Sequence, residues 1–212
     1  MSLILHEIKT ESEVRLYQIK RCEDYYSAWK SLNLAIAQYN KQICIAGDFF
    51  SVVYEALLNS MMAELIKLYD KHEDTLSVIK LLRKCQSTKE FKIAFCDISE
   101  KDARYRDTLA AFKCFMEEEA TKAFLQNLIA RRDKYYMHND EKELDVQALI
   151  NKYPFSFEEA EKLISEAKRF CEGLYQLSTN NEWIPFLYQK NRLEHVRDFS
   201  GLQKLLGTCH VE

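Results

Sequence analysis

The sequence has almost no turn chemistry: its 212 residues include only 4 glycines and 2 prolines. Hairpins and bulges draw heavily on those residues, so a fold rich in sheet is disfavoured and helices joined by short connections are expected. Excess positive charge is also lacking, with 30 Lys+Arg against 33 Asp+Glu and a formal net charge of -3. No global field therefore draws the chain to nucleic acid or an anionic membrane, and any RNA contact must be local. Cys-x-x-Cys pairs are missing. The 7 cysteines (Cys22, Cys44, Cys85, Cys96, Cys114, Cys171 and Cys209) are odd in number and widely spaced. They read as small buried apolar side chains in a reducing compartment rather than zinc or redox ligands.

Further absences narrow the chemistry. The most apolar stretch, Phe49 to Tyr69, is interrupted by Glu55, Asn59 and Glu64. It is expected to fall short of the roughly 20 apolar residues of a membrane span. The N-terminus shows no basic region followed by an apolar core, so a soluble cytoplasmic protein is expected, with no membrane partner. There is no glycine-rich phosphate loop, no serine elbow and no His/Cys/Asp/Glu set with metal-ligand spacing. His195 and His210, beside Glu194 and Cys209, are expected to be solvated or satisfied by hydrogen bonds. No metal and no cofactor is expected.

What is present is helical pattern and core, with a hydrophobic fraction of 47%. Cys22, Tyr25, Trp29, Leu32, Ile36, Tyr39 and Ile43 recur in steps of three and four, predicting one stripe of a long helix packed within the chain. Asp48 can open a second helix lined by Phe50, Tyr54, Leu57, Met61, Leu65 and Leu68. Val53, Leu58, Met62 and Ile66 widen that face, as expected for a central helix, with Glu55, Asn59 and Glu64 on a solvated strip. After the polar break Lys71-His72-Glu73-Asp74, the segment Thr75 to Gln86 predicts a short helix. Residues 87–100 predict irregular structure or a further short helix.

A long helix follows from about Lys101 to His138, with a bend or break expected near Arg104. Leu144 to Asn151 can form a short helix before Tyr153-Pro154 stops it. Ser156-Phe157-Glu158-Glu159 is a capping box opening a last helix through Leu163, Ala167, Phe170, Leu174 and Leu177. The expected organisation is all-α: one antiparallel helical bundle over residues 1–178, with a C-terminal extension, 179–212, whose Trp183–Tyr188 patch docks on it.

The segment that stands apart is Arg131-Arg132-Asp133-Lys134-Tyr135-Tyr136-Met137-His138. On a straight helix, Leu109, Met116, Ala120 and Ala123 share a side, and Asn127, Arg131, Lys134 and His138 continue it. Burying such groups costs several kcal/mol unless they are paired or open onto a solvent-filled cleft, and a cleft is expected. The competing reading is that cations simply favour a helix C-terminus, where the macrodipole stabilises them by about 0.3–1 kcal/mol.

This segment resembles the Arg, polar residue, short spacer, His motif of the HEPN superfamily, in its AbiU-like, phage abortive-infection branch. Arg132-Asp133-Lys134 and His138-Asn139-Asp140 match the pattern, and Met137 replaces the usual small residue before the histidine. The likeness extends over roughly residues 1–178. It implies a metal-independent endoribonuclease, a toxin or phage-defence effector, in which the ribose 2′-OH attacks the adjacent phosphorus. His138 would be the general acid or base, Arg132 the phosphate stabiliser and Asp133 the residue orienting either, with Tyr135 and Tyr136 shaping the pocket. Asn127, Lys134 and Asp140 would be supporting residues. The resemblance implies single-stranded or structured RNA as partner, not DNA. It also implies a homodimer that pairs two motifs in one cleft, and an antitoxin protein as a further partner.

One conflict is internal to that reading. On a straight α-helix Arg132 and His138 lie about 120° apart, whereas Arg131 and His138 lie within about 20°. Either the helix unwinds before His138 or Arg131 faces the site. A second class of function fits the same residues: a catalytically silent HEPN-like module that binds a partner protein or a nucleotide.

Overall fold

In a computed structural model, which describes residues 3–44, 46–72, 74–96, 99–137, 148 and 151–179, every regular element among them is a helix. The chain is thus an all-α helical bundle, as the composition predicts. In chain order the helices are α1 (Leu3–Gln38), α2 (Asn40–Cys44), α3 (Gly47–Leu68), α4 (Val78–Ser87), α5 (Lys89–Cys96), α6 (Ser99–Glu117), α7 (Glu119–Arg131) and α8 (Phe157–Ser178). A π-helical turn, Arg132–Met137, runs on directly from α7. Two compact units are present: one holds the chain to Ile19 and from Ala63 through α8, the other, among the described residues, Lys20–Met62.

In the first unit α8 is the organising element. Ser156 caps it by accepting the Glu159 amide at 3.2 Å. The predicted stripe of Leu163, Ala167, Phe170, Leu174 and Leu177 is buried throughout. Phe170 stacks on Phe112 of α6 with ring centroids 4.4 Å apart. Gly173 permits this approach, since a Cβ there would meet Thr108 Cγ2 at 3.0 Å. Tyr69 ties the chain after α3 to α8 by donating its hydroxyl proton to the Leu163 carbonyl at 2.7 Å.

Helix α1 begins far earlier than the apolar stripe from Cys22 predicts. Its first turns bury Ile8, Ser12, Arg15, Leu16 and Ile19. The two polar members interrupt the apolar pattern, and Arg15 is accommodated through Nε and Nη1, while its Nη2 is buried without a hydrogen-bond partner among the described residues. Its Nε donates to the Ser77 carbonyl at 2.8 Å, and Nη1 donates to Glu11 at its backbone oxygen (2.7 Å) and Oε2 (2.6 Å). Glu11 also accepts from Lys84 of α4 at 2.9 Å.

The expected break near Arg104 lies instead at Glu118, which has extended backbone (φ -58, ψ 133) between α6 and α7. Three consecutive glutamates, Glu117 to Glu119, put negative charge at the start of α7, where the macrodipole favours it. Lys162 of α8 pairs with Glu118 at 2.7 Å and lies over the Phe115 ring at 5.3 Å, holding the corner. The break resets the helical phase. Thr121, Phe124 and Leu128 are the buried line of α7, while Ala120 and Ala123, expected inward on a straight helix, are exposed.

In the second unit the predicted stripe is largely buried: Trp29 packs on Tyr54 at 5.7 Å, and Ala35 and Ile43 form a small core with Ile36, Tyr39 and Phe50. Helix α3 departs from the expected central helix. Met61 onward is buried on its apolar face, but Phe49 and Val52 are 64% and 66% exposed. Glu64, expected on a solvated strip, is buried and pairs with Lys67 at 3.3 Å. By length and composition α3 is long and apolar enough to cross a membrane, with a mean hydropathy of 1.3 over its most apolar window. Its carboxylates are too few to offset the apolar residues around them, and only 28% of that window is buried within the chain.

Residues 87–100 resolve in favour of short helix, α5. The expected helix from Leu144 falls mostly, and the C-terminal extension beyond Thr179 wholly, outside the described residues. Cys22, Cys85 and Cys171 are buried as expected, whereas Cys44 and Cys114 are exposed because they lie off the buried stripes of their helices.

Candidate functional site

The end of α7 divides two neighbouring arginines. Arg131 and Arg132 lie three and four residues beyond buried Leu128, so they flank the buried line on opposite sides.

On one side the segment Tyr153-Pro154-Phe155, which leads into α8, lies against the helix. Phe155 packs on Phe124 at 5.4 Å. Arg131 donates through Nε to the Tyr153 carbonyl, and its guanidinium stands 5.8 Å from the centre of the Phe155 ring. Asn127 donates to the Pro154 carbonyl at 3.4 Å, and the Lys134 ammonium lies 5.7 Å from the Tyr153 ring. Polar side chains of α7 thus supply donors to the Tyr153 and Pro154 carbonyls of this segment. Asn127, Arg131 and Lys134 all meet the Tyr153-Pro154-Phe155 segment. All three are partly exposed, and they face this segment of chain rather than the open cleft expected for them.

On the other side Arg132 lines a cleft of about 310 Å³ whose walls include Ile66, Tyr69, Leu125, Leu128 and Ile129. The loop after α3 supplies Asp70, Lys71 and His72 to the same cleft. Arg132 Nε donates to Asp133 Oδ1 at 2.7 Å. Both side chains are partly exposed, so the pair contributes little to stability and serves to fix the guanidinium.

The backbone here is not α-helical. Residues 132–137 form a π-helical turn, and such widened turns occur disproportionately at functional sites. The angles that favoured Arg131 over Arg132 assume α geometry through Met137 and therefore do not apply. Tyr135 and Tyr136 lie on this turn. His138 and Asp140 fall outside the described residues, as do His195 and His210. Among the described residues no group of His, Cys, Asp and Glu could hold a metal ion.

Lys71 and His72 are the cleft residues that sequence reasoning missed. They lie in a polar break between helices, and nothing in their spacing signals that the fold returns them to Arg132.

A HEPN family model, AbiU2, matches residues 10–199. Neither curated proteins nor solved structures yield a significant match. The matched span takes in most of the chain, including Arg132 and its cleft, the π-helical turn and the capped helix α8. The chain therefore belongs to the AbiU2 family of HEPN proteins.

Proposed function

We propose that this HEPN protein is a metal-independent endoribonuclease, a toxin or phage-defence effector of the cytoplasm, that cleaves RNA through Arg132 and His138. The observation that carries the reading is the division of labour at the end of α7. Arg131 is engaged by Tyr153 and Phe155, whereas Arg132, set by Asp133 on a π-helical turn, lines an open cleft.

The chemistry suits these residue types. The 2′-oxygen attacks phosphorus, the P–O5′ bond breaks, and a 2′,3′-cyclic phosphate forms. The 2′-OH proton passes to a base and the 5′-oxygen takes one from an acid. An imidazole with an ordinary pKa of about 6.5 does either task near neutrality. The permanently charged guanidinium of Arg132 stabilises the charge that builds on the phosphoryl oxygens. Two proton transfers ask for a second group, which a homodimer provides by bringing two copies of His138 to one composite cleft.

The test is incubation of the purified protein with single-stranded RNA in EDTA, beside His138→Ala. The reading expects products ending in cyclic phosphate from the wild type, lost in the variant, and a dimer by sedimentation. Absence of wild-type cleavage across diverse RNAs would favour instead a silent module that binds a partner protein or a nucleotide.

A further inference from the structure

The Arg132 cleft has a second cationic contributor, far from the motif in sequence. The loop after α3 is held by three separate hydrogen bonds: Asp70 Oδ1 accepts the His72 amide at 3.0 Å, the Lys71 carbonyl accepts Arg83 Nη1 at 3.4 Å, and the His72 carbonyl accepts Thr75 Oγ1 at 2.8 Å. The backbone carrying Lys71 and His72 is therefore positioned, while both residues stay exposed at the cleft.

The lining has two characters. Ile66, Tyr69, Leu125, Leu128 and Ile129 make most of the wall apolar, and Lys71, His72 and Arg132 are the nitrogen-bearing residues at its edge. At about 310 Å³ the cleft is near the small end of ligand sites, which run from about 300 to 1,000 Å³. An apolar wall beside clustered donors matches a nucleotide unit, with its flat base against the aliphatic side chains and its phosphate among the nitrogens. Asp70 also lines the cleft, but its carboxylate is engaged by the His72 amide. A lone phosphate would leave the apolar wall without a partner.

We propose that Lys71 and His72 form a phosphate subsite of the Arg132 cleft, which holds one nucleotide unit of single-stranded RNA beside the reacting bond. This rests on the ribonuclease reading for its account of what Arg132 faces, but its test does not depend on cleavage. Lysine supplies a point charge and histidine a ring donor, and losing them removes about one phosphate contact, lowering the slope of log K against log salt by about 0.7.

The experiment measures binding of a fluorescein-labelled, fully 2′-O-methylated single-stranded oligonucleotide by polarisation, in EDTA and over a range of salt. That strand lacks the attacking hydroxyl, so binding is read without reaction. Wild type is compared with Lys71→Ala/His72→Ala and with Lys113→Ala, an exposed lysine on α6 outside this cleft. Circular dichroism melts check that each variant is folded. The proposal expects the double variant to bind roughly tenfold more weakly with a shallower salt slope, and Lys113→Ala to bind as wild type does. An unchanged Kd and slope in the double variant overturn it, as does equal weakening by Lys113→Ala or failure of the wild type to bind. Cleavage of unmodified RNA, assayed in parallel, separates the two readings. Weakened binding without any wild-type cleavage keeps the subsite and removes the nuclease; cleavage with unchanged binding does the reverse.

Discussion

Individual side chains in this protein are sorted by what surrounds them rather than by type. Burial raises the Cys85 and Cys171 thiols to about 12, a rise only partly offset by Tyr105 and Arg15 at Cys85 and by Arg15 at Cys171, so both stay protonated near neutrality. Cys44 and Cys114 are exposed. Since the thiolate is the reactive species, iodoacetamide at neutral pH should alkylate Cys44 and Cys114 in the folded protein and reach Cys85 and Cys171 only in urea. Peptide mass spectrometry reads the pattern, and rapid native labelling of Cys171 would contradict the burial. The same sorting separates Arg131 from Arg132. Sequence supplies both arginines and their neighbours, but a helical wheel cannot choose between them, because it presumes the α geometry that the π-helical turn breaks.

At the scale of elements, the capped helix α8 was fully legible: Ser156 and Glu159 mark its start, and an unbroken apolar period marks its buried face. Phe170 is 2% exposed and stacked on Phe112, so Phe170→Ala should cost about 3–5 kcal/mol by urea denaturation. Phe49→Ala, at an exposed position of α3, should cost about 0.5 kcal/mol or less. Less legible were the early start of α1, where buried Ser12 and Arg15 hide the period, and the corner at Glu118. Arg15 pairs with Glu11 one turn earlier and with the Ser77 carbonyl, and the second contact depends on tertiary structure and leaves no mark on local pattern. The corner was obscure because acidic residues are ordinary inside helices as well as at their starts. Its displacement from Arg104 to Glu118 turned the expected inward line of α7, which is why Ala120 and Ala123 proved exposed.

For the molecule as a whole, the cluster of Glu11 with Lys84 and Arg15 contributes a pH dependence to stability. Burial alone would raise the Glu11 carboxyl, but hydrogen bonds and charge from Lys84 and Arg15 outweigh it and hold it below its ordinary value of 4.5. A depressed carboxylate contributes stability that is complete above the unfolded value and is lost as pH falls through the folded one. Urea midpoints should therefore differ between wild type and Glu11→Gln near neutrality, and the gap should narrow below about pH 4.5. A gap that persists unchanged in acid would show that packing, not charge, is what the substitution removes. Composition and periodicity made the all-α class readable, and the motif resemblance pointed to the family. The cleft was not readable, because it forms where a polar loop returns to the end of α7, and no local signal records that return.

The central claim is that Arg132, not Arg131, serves the reacting phosphate, and initial rates of RNA cleavage in EDTA by Arg131→Ala and Arg132→Ala test it most directly. Assayed below the melting temperature of both variants, Arg132→Ala should lose about a hundredfold or more in rate with little change in melting. Arg131→Ala should keep most of its rate and melt lower, since it loses the contacts to Tyr153 and Phe155. Abolished cleavage in Arg131→Ala beside a near wild-type rate in Arg132→Ala would contradict the account.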